Sequence, residues 1–131
     1  MKNAIAISNT QKTAQSDGSR NLLIRHLSAF QDNDLEAVIS DYTDESVLIT
    51  PDSVYKGPED IKGFFATLIA QFPKHQSSFE LDKLVVEEEL VYIIWHGKTP
   101  VLNIPFATDT FIVKNGKIHQ QTFAGQLEPA H

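Results

Sequence analysis

Apolar positions recur along this chain at two spacings, first every three or four residues and later every second residue. Leu22, Leu23, His26, Leu27 and Phe30 fall on one helical face, and Asp17-Gly18-Ser19 before them offers the polar cap that starts a helix. Asp32-Asn-Asp34 ends that helix and caps a second one carrying Leu35, Val38, Ile39 and Tyr42, so the two form an antiparallel pair with a tight link. A third helix opens at Gly57-Pro58-Glu-Asp60, with proline at its first position and acids against the positive N-terminal dipole. Ile61, Phe64, Phe65, Leu68, Ile69 and Phe72 give it a wide apolar face, and Pro73 closes it.

Strand patterns cover 46–50, stopped by Pro51, and then about 76–87, 90–99, 104–114 and 117–127. Asn115-Gly116 supplies the two positive φ angles of a two-residue hairpin turn, and Glu87-Glu-Glu89 forms an exposed acidic bend. Three helices followed by mainly antiparallel strands define an α+β plan, with the helices on one face of the sheet. The segment 90–96 is apolar on both sides: Val91, Ile93 and Trp95 on one, Leu90, Tyr92 and Ile94 on the other. Helices can cover only one of these sets, so the outer face is expected to pair with a second subunit as a homodimer. Residues 1–18 are polar apart from Ile5 and Ile7 and read as a flexible arm, leaving 19–131 as a single domain.

Composition narrows the classes. The chain has 131 residues, enough for one core, and its net charge of −6 disfavours nucleic acid and anionic membrane surfaces. It has no cysteine, which removes disulfides, thiolate metal sites and cysteine nucleophiles and suits a reducing cytoplasm, where we expect the protein. No apolar run approaches the ~20 residues of a membrane span, and the N-terminus has too short an apolar stretch for a secretory signal. His26, His75, His96, His119 and His131 include no pair at helical i,i+4 spacing and no His-x-His, so no metal is expected. A phosphate loop and a nucleophile elbow are also missing, and no cofactor is implied.

One residue breaks the pattern. Asp109 lies in Pro105-Phe-Ala-Thr-Asp-Thr-Phe-Ile-Val113 and shares a strand face with Ala107, Phe111 and Val113. A charge there costs several kcal/mol, roughly, unless it is paired, hydrogen-bonded or neutralised. A desolvated carboxyl titrates high and can give or take a proton near neutrality; the plain alternative is a carboxylate tied down for structure. His26, on an apolar helix face, would make a carboxylate–imidazole dyad with Asp109, or else is a satisfied core histidine. His119 shares strand parity with Gln121, Phe123 and Gly125, which makes His119 and Gln121 candidate pocket polar groups. Trp95, Ile93, Phe111 and Phe123 are candidate ligand walls, with plain core packing as the alternative.

Four segments carry a family likeness: Asp34-Leu-Glu-Ala-Val38, Tyr42-Thr-Asp-Glu-Ser-Val47, Tyr55-Lys-Gly-Pro-Glu-Asp-Ile61 and Asp109-Thr-Phe-Ile-Val-Lys-Asn-Gly-Lys-Ile118. In this order they resemble the nuclear transport factor two-like superfamily, which includes ketosteroid isomerases and SnoaL-like polyketide cyclases. The resemblance covers roughly residues 19–127 and implies a cone-shaped, curved, mainly antiparallel sheet wrapped around three N-terminal helices, with a cavity between them. Homodimers are common in such proteins. It also implies that Asp109 occupies the position of the late-strand protonated acid of ketosteroid isomerases, that His26 stands at their tyrosine position, and that Thr50 stands at their catalytic base. Threonine cannot abstract a proton at neutral pH, so the familiar steroid isomerisation is not expected. Gly125 stands where some relatives carry a large aromatic side chain, which would enlarge the pocket, and Tyr55 stands before the third helix, where relatives often place a mobile loop over the cavity mouth, with exposed-loop decoration as the alternative.

The expected function is proton transfer on a small apolar carbonyl compound, of the isomerase, cyclase or hydratase kind, with Asp109 and His26 as the catalytic pair. The alternative is a module of the same fold that binds a hydrophobic ligand or dimerises without catalysis.

Overall fold

The computed structural model describes the backbone of residues 2–130 and the side chains of residues 14–130. Helices α1 (Lys2–Gln31), α2 (Leu35–Ile39) and α3 (Gly57–Ala70) pack on one face of a sheet made of β1 (Tyr42–Ile49), β2 (Val54–Lys56), β3 (Ser78–Glu87), β4 (Leu90–Lys98), β5 (Leu102–Lys114) and β6 (Lys117–Pro129). The six strands run in the order β2-β1-β6-β5-β4-β3 and are antiparallel except for β1 against β6. The sheet is curved and unclosed, giving the expected α+β cone. Among the described residues, no helix is long and apolar enough to cross a membrane.

Local chemistry explains most boundaries. Asp34 caps α2 by accepting the Ala37 N–H at 3.1 Å. Asn33 takes the left-handed conformation that ends α1, and its side chain clamps the tip of α3: it donates to the Phe72 carbonyl at 2.8 Å and accepts from the Lys74 N–H at 2.8 Å. Asn115 and Gly116 both have positive φ, as the β5–β6 hairpin requires. Glu88, also at positive φ, turns β3 into β4.

Two expectations are corrected. Asp17-Gly18-Ser19 does not cap a helix, because α1 runs through it; Ser19 is buried and donates to the Glu88 carbonyl at 2.7 Å, docking the helix on the β3–β4 turn. Of the expected arm, Ala14–Gly18 is helical, and the side chains of residues 1–13 lie outside those described. Tyr42 is not on the second helix, which stops at Ile39; it begins β1. The core sits between α1, α3 and the inner sheet face, with Leu23, Val38, Leu48, Ile61, Val91 and Phe111 fully enclosed.

Two glycines give a direct test. A Cβ on Gly97 would come within 2.5 Å of the Ser78 carbonyl oxygen on the neighbouring strand, whereas a Cβ on Gly63, exposed on α3, would meet nothing within 4 Å. Gly97→Ala is therefore expected to lower stability by about 1–3 kcal/mol and Gly63→Ala to raise it by about 0.5–1 kcal/mol. Urea midpoints at constant slope measure both.

Candidate active site

Strands β4, β5 and β6 present three adjacent rungs to the helices: Trp95–Ala107–Gly125, Ile93–Asp109–Phe123 and Val91–Phe111–Gln121. Residues paired across a rung point to the same face, so Asp109 enters the interior between two apolar neighbours. It is only 7% exposed. Its oxygens are met diagonally from both sides: Trp95 Nε1–H donates to Oδ1 at 2.9 Å and Gln121 Nε2–H donates to Oδ2 at 2.9 Å. The Trp95–Ala107–Gly125 rung is tight: a Cβ on Gly125 would stand 2.9 Å from the Ala107 Cβ. Gly125 thus serves strand approach, not the enlarged pocket the resemblance implied.

His26 is 3% exposed on α1, with its ring edge-on to Phe65 and Phe111. It does not bond Asp109. Its carboxylate partner is Asp41, whose Oδ2 lies 2.8 Å from Nδ1, while the other oxygen accepts from Arg25 at 3.3 Å. His26 Nε2 lies 3.3 Å from the Tyr42 hydroxyl, which donates to Gln121 Oε1. The expected dyad is thus replaced by a continuous buried chain, Asp41, His26, Tyr42, Gln121, Asp109 and Trp95, with exposed Arg25 at its outer end. Among the described residues, no buried side-chain nitrogen or oxygen lacks a partner. Asp41 and Tyr42 were not among the candidates, because both sit where the spacing reads as a continuing helix.

Burial raises the Asp109 carboxyl from its ordinary 3.8 to about 6, opposed by the hydrogen bonds from Trp95 and Gln121 and by the charge on His26. Burial, and then the carboxylates of Asp109 and Asp41, push the Tyr42 phenol well above its ordinary 10.0, so Tyr42 keeps its proton.

His26, Asp109 and Gln121 line one cavity, walled by Phe30, Phe65, Ile93, Trp95 and Phe111, with half-buried Phe64, Leu68, Phe79 and Phe123 around it. The space open to the centre of a water-sized sphere is about 40 Å³, enough for a few water molecules. Thr50 is not on this cavity; its hydroxyl accepts from the Asp52 and Ser53 N–H groups in the β1–β2 turn. Tyr55 lines an outer cleft instead, its ring 5.0 Å from that of Phe64. His119 also lies off the cavity: Phe111 pairs with Gln121 but Val113 pairs with Ile118, so β6 carries one extra residue there and the parity expected for His119 fails. His75 is exposed, His96 bonds exposed Asp82 at 2.7 Å, and His131 lies outside the described residues. Among the described residues, no three His, Asp or Glu side chains gather as a metal site would need.

The chain belongs to the SnoaL-like domain family, whose model matches residues 23–121. Solved structures agree on the fold. An NTF2-like protein of unknown function from Cytophaga hutchinsonii is 14% identical, with 82% of this chain and 89% of that one covered and a TM-score of 0.69. A candidate ketosteroid isomerase from Kribbella flavida is 11% identical over 88% of this chain and 82% of that one, with a TM-score of 0.70. The epoxide hydrolase/cyclase-like enzyme SalBIII, of pyran ring formation in polyether salinomycin, is 13% identical over 82% of this chain and 90% of that one, with a TM-score of 0.72. Comparison with curated proteins finds no match.

The Asp109 shift has a signed consequence. A carboxyl that titrates higher folded than unfolded favours the folded state below its unfolded value and loses that contribution as pH rises through its folded value. Between 3.8 and about 6 the wild type should lose stability relative to Asp109→Asn, by up to about 3 kcal/mol. Urea titrations of both proteins across that range measure the difference; parallel pH profiles would show that Asp109 titrates normally.

Proposed function

We propose that this is a small-molecule pocket protein that moves protons on a small, largely apolar carbonyl compound, in a reaction of the isomerase, cyclase or hydratase kind. The observation that carries this is a buried carboxyl, raised to about 6, on the wall of an aromatic cavity. Such a group is a stronger base than an ordinary aspartate and is still present in both forms near neutrality, as general acid–base catalysis favours. Asp109 serves as acid or base and His26 as its partner; Trp95, Ile93, Phe111 and Phe123 hold the apolar body of the ligand. Proton transfer by these groups calls for no cofactor. The structural neighbours described as a candidate ketosteroid isomerase, a candidate polyketide cyclase and an epoxide hydrolase/cyclase-like enzyme, which share the fold at 11–14% identity, are in keeping with this proposal. A cytoplasmic location belongs to the same proposal.

The cavity is far smaller than the ~300 Å³ at which ligand pockets usually begin. Phe64 and Leu68 line both it and the outer cleft, so a turn of those side chains joins the two spaces.

Hydrogen exchange tests the proposal without a known substrate. Small cyclic ketones and enones are incubated with the protein in D2O, and loss of their α-hydrogens is followed by proton NMR. The wild type should exceed buffer for at least one compound, and Asp109→Asn should reduce that rate by about 10²- to 10⁴-fold. Background exchange, with the Asp109 carboxyl ¹³C signal still moved by the compound, would favour the non-catalytic binding module. Background exchange with no shift would remove the pocket proposal altogether.

A second proposal concerns assembly. Val85, Leu90, Tyr92, Ile94, Phe106 and Ile112 form an exposed to half-exposed apolar run on the sheet face away from the helices, which favours a homodimer through that face. Sedimentation should give twice the chain mass, falling to one chain mass for Ile94→Lys; a monomeric wild type would overturn it.

A further inference from the structure

We infer that Tyr42 and Gln121 couple the protonation of His26 to that of Asp109, so that the two titratable groups on the cavity wall hold one proton between them. This rests on the acid–base role proposed for Asp109 and deepens it, giving positioning roles to two residues that link the ends.

The argument is a count of donors. Tyr42 stays protonated and so has one O–H for two neighbours, His26 Nε2 and Gln121 Oε1. The Gln121 carboxamide has a donating end and an accepting end, and it faces Tyr42 with one and Asp109 with the other. Nδ1–H of His26 is committed to Asp41. Two arrangements satisfy every group. In the first, Nε2–H of a protonated His26 donates to the Tyr42 oxygen, Tyr42 donates to Gln121 Oε1, and Gln121 N–H donates to the Asp109 carboxylate. In the second, Asp109 is protonated and donates to Gln121 Oε1, the carboxamide is reversed so that its N–H donates to Tyr42, and Tyr42 donates to Nε2 of neutral His26.

Both arrangements contain the same number of protons; one proton has left Nε2 and one has joined Oδ2. The structure shows the heavy-atom contacts of both. In a reaction, a C–H bond beside a carbonyl breaks and its proton joins Asp109. The electron pair moves to the carbonyl oxygen, which gains the Nε2 proton of His26, and the product is an enol. Protonation of a different carbon by Asp109, with return of the O–H proton to His26, restores the first arrangement. The substrate class that fits is an enolisable carbonyl compound that gives a proton at one atom and takes one at another.

The charged and titratable groups facing this network are few. From α1 come Arg25 and His26, from the α2–β1 corner Asp41 and Tyr42, and from β5 Asp109; α3 contributes Phe65, β4 Trp95 and β6 Gln121, which do not titrate.

The test uses the ligand-free protein. The Asp109 carboxyl ¹³C and the His26 ring ¹⁵N are titrated by NMR in the wild type and in Tyr42→Phe, which keeps both charges and removes the hydroxyl. In the wild type both nuclei should trace two steps with common midpoints, and in Tyr42→Phe each should collapse to one midpoint of its own. Common midpoints surviving in Tyr42→Phe, or absent from the wild type, would overturn the inference. Should Tyr42→Phe fail to fold, the wild-type Gln121 side-chain amide decides. Its protons should show cross-relaxation to the Trp95 indole side above the Asp109 transition and to the Tyr42 ring below it, and one fixed orientation would overturn the inference. Neither measurement involves turnover, so its failure leaves the role of Asp109 standing, and an inactive protein would leave the coupling standing.

Discussion

The site depends on holding one carboxyl group, Asp109, inside the sheet with a hydrogen-bond donor on each oxygen. An isolated buried carboxylate would neutralise itself or unfold its surroundings. Here Trp95 and Gln121, from the strands on either side, each supply an N–H at 2.9 Å. Neither donor is on the Asp109 rung; they come from the rungs before and after it. The arrangement therefore depends on the register of three strands at once. A one-residue slip of β4 or β6 would turn its donor to the outer face and leave the carboxyl among Ile93, Phe111 and Phe123.

The far end of the network is fixed by a different element. The Asp41 side chain holds His26 while its backbone carbonyl accepts the Ile118 N–H at 2.7 Å, and Lys117 reaches back to the Ser40 carbonyl at 2.7 Å. The corner where α2 becomes β1 is thus tied to the first residues of β6. Three residues later on that strand, past the bulge, Gln121 turns inward. The same corner that orients the imidazole also sets the start of the strand carrying the amide between His26 and Asp109. Arg25, on the outer side of Asp41, gives that carboxylate a cationic partner at the surface.

Sequence reasoning reached the site unevenly, and the reasons are physical. Asp109 was legible because a charge in an apolar strand face has few explanations, and His26 because it replaces an apolar residue on a helical stripe. Asp41 and Tyr42 were not legible: Leu35, Val38, Ile39 and Tyr42 keep helical spacing to the end, and nothing local announces that the helix stops after Ile39. A short helix leaves so little periodicity that one aromatic at the right spacing extends it on paper. His119 failed for the opposite reason. Alternation counts residues, and a bulge inserts one without a sequence mark that a single chain reveals. The three-helix plan and the long strands, by contrast, rest on local signals such as the Asp34 cap, Pro58 at the start of α3 and the Asn115-Gly116 turn, which act as read, whereas Asp17-Gly18-Ser19 lies inside α1 and caps nothing.

The cavity combines a fixed end with an adaptable one. At its polar end His26, Asp109 and Gln121 are locked by hydrogen bonds that account for every buried donor and acceptor, so their positions change only together. At its apolar end Phe64 and Leu68 are half-buried side chains held by packing alone, one layer from an outer cleft. Side-chain rotation there needs no backbone movement and breaks no hydrogen bond, whereas moving the polar end would leave at least one buried group unpaired. The apolar lining can therefore adjust without loss of a hydrogen bond, whereas the polar end cannot. Under the proposed function, discrimination would come from where a molecule carries its carbonyl and its acidic hydrogen, and only weakly from the shape of the rest.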